Sequence, residues 1–155
     1  MPSLTTTLNK IQSLDPSSDI WEELLKGLNK TQADDEPLKI EKILKMSGID
    51  YALWALRAVD GHQGAMRLYA CYCARQVLPI FEKRFPDDKR PHTAIEVAER
   101  FARGQASQKE LVAAKDTAFD AARDVAYVAR EATRKLFKEE FIKLCRLEGN
   151  YAYEH

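Results

Sequence analysis

Apolar residues recur at helical spacing along nearly the whole chain. The clearest stretch runs from Ala65 to Phe85, where Met66, Ala70, Cys73, Val77 and Phe81 fall three or four apart with Tyr69, Ala74 and Ile80 beside them. That spacing lines one face of a helix, which is expected from about Gln63 to Arg84. Pro79 lies inside it. A proline there removes a main-chain hydrogen bond and crowds the preceding turn, so a kink or an early end is expected.

Upstream, Leu4, Leu8, Ile11 and Leu14 predict a short helix that breaks at Asp15-Pro16. Asp19, with Glu22 three residues on, reads as the N-cap of a second helix carrying Trp21, Leu24, Leu25 and Leu28. A polar link over 29–36 follows. Pro37 suits the first turn of a third helix through Ile40, Ile43 and Leu44, stopped by Ser47-Gly48. Asp50 then reads as the N-cap of a helix ending at Asp60-Gly61, with Ile49 and Trp54 placed for a hydrophobic staple.

Downstream, Phe85 to His92 is a loop in which Asp87 or Asp88 can cap the next helix and Pro91 suits its first turn. That helix, Thr93 to Arg103, turns Ala94, Ile95, Ala98, Phe101 and Ala102 inward and closes at Gly104. Ser107 and Glu110 have the spacing of a capping box. No Gly or Pro follows until after Leu147, and eight of the residues from Ala113 to Ala132 are alanine. An unbroken helix of about 40 residues exceeds the width of a compact domain. It therefore either breaks, for instance near Thr133, or projects. Leu136, Phe137, Phe141, Ile142, Leu144 and Leu147 form a further apolar segment that needs cover, from the N-terminal helices or from a second subunit. Residues 150–155 are expected to be loose.

No segment reads as a sheet. The expected fold is all-α, a compact bundle of six to eight helices with a long alanine-rich helix. It is read as one helical domain over 1–155, in which 1–47 is a variable N-terminal helical extension.

The chain has 155 residues, enough to bury a core without staples. Its 24 basic and 24 acidic side chains cancel, which disfavours a partner held by bulk charge, such as a nucleic acid. No apolar run is long enough to span a membrane, and the N-terminus lacks the layout of a signal peptide. Cys71, Cys73 and Cys145 are an odd set. Cys71 and Cys73, two apart on a helix, point in different directions and suit neither a shared metal nor a mutual disulfide. The set fits a reducing cytoplasm, with the thiols as small buried hydrophobes.

Sites of chemistry are scarce. There is no glycine-rich phosphate loop, no His-Glu-x-x-His and no Cys-x-x-Cys. A thiol pair with His62 or His92 could be imagined, but nothing in the sequence orients a histidine toward either thiol. No cofactor or metal is called for. Arg130, Arg134, Lys135, Lys138, Lys143 and Arg146 gather late but alternate with glutamates. The most distinctive polar group is the set Asp87, Asp88, Lys89, Arg90 and His92, with Glu82 before it and Arg57 on the preceding helix. These are the candidate partner-binding residues. The competing account is that they cap and clamp the turn between two helices.

Several phrases together carry a resemblance. They are Ala52-Leu-Trp-Ala-Leu-Arg57, then Leu68-Tyr-Ala-Cys-Tyr-Cys-Ala-Arg-Gln-Val-Leu-Pro-Ile-Phe-Glu82, then Pro86-Asp-Asp-Lys-Arg-Pro91, Ala94-Ile-Glu96 and Ala102-Arg-Gly104. Over about 51–132 the chain resembles the Imm5-like immunity proteins of bacterial polymorphic toxin systems. The resemblance implies a small all-helical, non-catalytic protein that binds and neutralises a toxin or other effector protein. Trp54, Cys71, Cys73, Pro79, Glu82, Asp88, Arg90 and Pro91 are the residues that it carries over. Two alternatives stand beside it: a phage-type inhibitor of a bacterial defence nuclease, and a small helical enzyme using Cys71 or Cys73 with nearby acids. A homodimer through the C-terminal helix is a further arrangement open to the sequence.

Overall fold

The computed structural model describes residues 2–115 and 137–152. It is an all-α bundle. In chain order it holds α1 (Leu8–Gln12), α2 (Ser18–Gly27), α3 (Ile40–Ser47), α4 (Ile49–Ala55), α5 (Gln63–Arg84) and α6 (Arg90–Ala102). Helical backbone also covers 108–115 and 137–145. Among the described residues no helix is long and apolar enough to cross a membrane. Most of the alanine-rich run, with its expected break near Thr133, lies outside the described residues.

One small sheet was not expected. Strand β1 (Thr5–Thr6) pairs antiparallel with β2 (Leu38–Lys39), Thr6 opposite Leu38. Two consecutive threonines favour extended backbone, and the Thr7 hydroxyl then caps α1 by accepting from the Lys10 amide at 3.2 Å. The first helix therefore begins later than the apolar spacing suggests, although Leu4, Leu8 and Ile11 are all fully buried as expected. Pro37 does not open a helix. It has no N–H to give to a ladder, and it stands just ahead of β2. Leu4 is bonded on both sides: its amide donates to Cys145 O at 2.9 Å and its carbonyl accepts from the Ile40 amide at 3.0 Å.

The N-caps of α2 and α4 lie two positions before those expected. Ser17, not Asp19, is the N-cap of α2, and Gly48, not Asp50, is that of α4. Gly48 serves because its φ of 85° ends α3 and starts α4 in a single residue, a geometry that favours glycine. Asp19 and Asp50 fall in the first turns instead, where a negative charge still favours the helix dipole. Helix α4 is shorter than expected and gives way to a 3-10 turn over Leu56–Ala58. Trp54 stacks on Tyr51, with ring centroids 5.3 Å apart.

Helix α5 has the expected bounds and runs through Pro79 without an early end. Its buried face is not the single stripe expected. Ala65, Leu68 and Tyr69 join the main core, whereas Cys71 and Leu78 pack with Ile95 of α6 in a separate small cluster. Different neighbours cover the two halves of the helix, so burial moves around its axis. Ala70 and Ile80, expected inside, are exposed.

The C-terminal apolar segment closes the core within the chain. Phe141 and Leu144 have no exposed surface, and Phe141 meets Tyr69 edge-on at 5.3 Å. They share one cluster with Leu4, Leu8, Leu24 and Ile43. Arg146 reaches Glu41 of α3 through two hydrogen bonds of 3.1 and 2.7 Å. The tail is not loose up to residue 151. Gly149–Tyr151 makes a 3-10 turn that buries Tyr151, whose hydroxyl donates to Glu140 at 2.9 Å.

Candidate functional site

The candidate residues concentrate where α5 hands over to α6. These two helices form a hairpin clamped along its length. The Arg75 guanidinium donates to both oxygens of Glu99, Nε to Oε1 at 2.5 Å and Nη2 to Oε2 at 2.8 Å. That geometry is the strong bidentate form. The arginine beside it holds the Glu99 carboxyl below its usual range, and the pair in turn raises Arg75. One helical stretch nearer the N-terminus of α5, Arg67 lies 4.8 Å from the Phe101 ring centroid.

At the turn, the Phe85 amide donates to Phe81 O and the Asp88 amide to Phe85 O. Asp88 then does two jobs. Its Oδ1 accepts from the Arg90 amide at 3.1 Å, satisfying a donor at the start of α6. Its two oxygens also take the Arg90 guanidinium at 2.9 and 2.6 Å. This guanidinium draws the Asp88 carboxyl down to about 2. Lys89, not either aspartate, occupies the N-cap position, with Asp88 acting from one residue earlier. Pro91 sits in the first turn as expected.

The rest of the set faces outward. Lys89 lies 3.8 Å from Glu82 across the turn, and His92 lies 3.7 Å from Glu96. Asp87 is exposed and has no ion pair among the described residues. Asp87, Asp88, Lys89, Arg90 and Thr93 line an open hollow of about 600 Å³. Arg57 stands apart on the 3-10 turn after α4, exposed, with no hydrogen bond or ion pair to this corner. Six of the seven candidates thus come together and one does not.

An exposed aromatic lies at the turn, Phe85 at 45% exposed, and Ile80 of α5 is also exposed at 42%. The Phe85 ring leans on Phe81 at 5.1 Å and has Arg84 over it at 5.5 Å. Ile80, expected in the core, lies on the surface, and Phe85 is not among the candidate residues. The available signal was an aromatic at a helix end among charges, between Arg84 and Pro86.

A family model described as "Imm-5 like putative immunity protein" matches residues 52–139, more than half of the chain. The chain belongs to this Imm-5 like immunity-protein family. No curated protein matches it, and no solved structure does.

The Imm-5 like match contains the whole α5–α6 hairpin and its charged corner. The family is non-catalytic, and the burial of the thiols suits that. Cys71 is buried beside Ile95, which pushes its thiol up to about 11. Cys145 is pushed up to about 12, and burial raises Cys73 as well. A thiol so far from forming thiolate is a poor nucleophile. Among the described residues no three His, Cys, Asp or Glu side chains gather to hold a metal ion.

Proposed function

We propose that this protein neutralises a toxin or effector protein by covering it stoichiometrically, with the end of the α5–α6 hairpin as the contact surface. It acts in the cytoplasm, where its unpaired thiols stay reduced. The reading rests on one observation: at the end of a hairpin joined by the Arg75–Glu99 pair, Phe85 is exposed with Arg84 over its ring and the Asp88–Arg90 pair following in the same turn. Interface hot spots favour large side chains held in place by their surroundings, so that little entropy is lost on docking. Asp87 and Lys89 supply polar contacts at the rim. Glu82, Asp88, Arg90 and His92 fix the shape of the surface. Arg57 reaches the partner only if the interface extends beyond this corner.

The test is capture of a near-stoichiometric protein partner from native lysate, followed by growth rescue with that partner expressed alone and together with this chain. Phe85→Ala and Asp87→Lys should keep the fold and abolish both capture and rescue. Full rescue by both variants would move the interface elsewhere.

A further inference from the structure

We draw no further inference here: the strongest candidate, the side-chain cluster of Tyr69, Cys73, Glu140 and Tyr151 where the C-terminal 3-10 turn packs on α5, is closed by the Tyr69–Phe137 and Tyr151–Glu140 hydrogen bonds and leaves a lone half-buried thiol with nothing beside it that points to a ligand.

Discussion

Replacing Glu99 by Gln should loosen the hairpin by an amount that the pair geometry bounds. Two charge-assisted hydrogen bonds join Arg75 to Glu99. Hydrogen bonds to charged groups contribute roughly 1.5–3 kcal/mol when sheltered. The side chains here are 38% and 20% exposed. Water therefore screens them toward the ~0–1 kcal/mol of surface pairs. The coupling should fall between these limits, at about 1–2 kcal/mol. A double-mutant cycle with Glu99→Gln and Arg75→Met, read by urea denaturation near neutral pH, isolates it. The carboxyl of Glu99 lies below its unfolded value, so its contribution is complete above that unfolded value and fades as pH falls through the folded one. Repeating the cycle in acid should shrink the coupling. Additivity within about 0.3 kcal/mol at neutral pH would refute the idea that this pair holds α5 to α6.

Other outcomes follow from the core and its borders. Phe141→Ala removes a fully buried ring and should cost about 3–5 kcal/mol in chemical denaturation. Glu41 is held down to about 2, first by Arg146. In Arg146→Gln, its titration followed by NMR should move back up toward the ordinary carboxylate range. The wild-type contribution, present above the unfolded value, should be lost as pH falls through about 2. Alkylation in the native state at mildly alkaline pH should spare Cys71 and Cys145, whereas all three thiols should react in denaturant.

The helices and most of the core were legible because both follow from local spacing. Leu4, Leu8, Ile11, Leu24, Ile43 and Phe81 are buried where periodicity puts them. The capping box at Ser107 and Glu110 forms with reciprocal bonds of 2.7 and 3.2 Å, because both partners lie within one turn. What could not be read depends on separation. Arg75 and Glu99 are 24 residues apart, so their pairing appears only once the hairpin is folded. Ile80 looked internal because spacing defines an apolar face but not whether a neighbour covers it. The β1–β2 pair is two residues long on each side, too short for alternation to show. The charged corner was visible as a cluster, since its members are close in sequence.

The double stitching of Leu4 sets an order for assembly. Its amide can find Cys145 only after 141 further residues have been made. Translation adds roughly 5–20 residues each second, so for seconds Leu4 has no carbonyl to receive its hydrogen bond and the core beneath it lacks a lid. Closure of that layer is therefore an event of the nearly finished chain, and a ribosome stalled before that point would display Leu4, Leu8 and Ile11 to whatever chaperone is at hand.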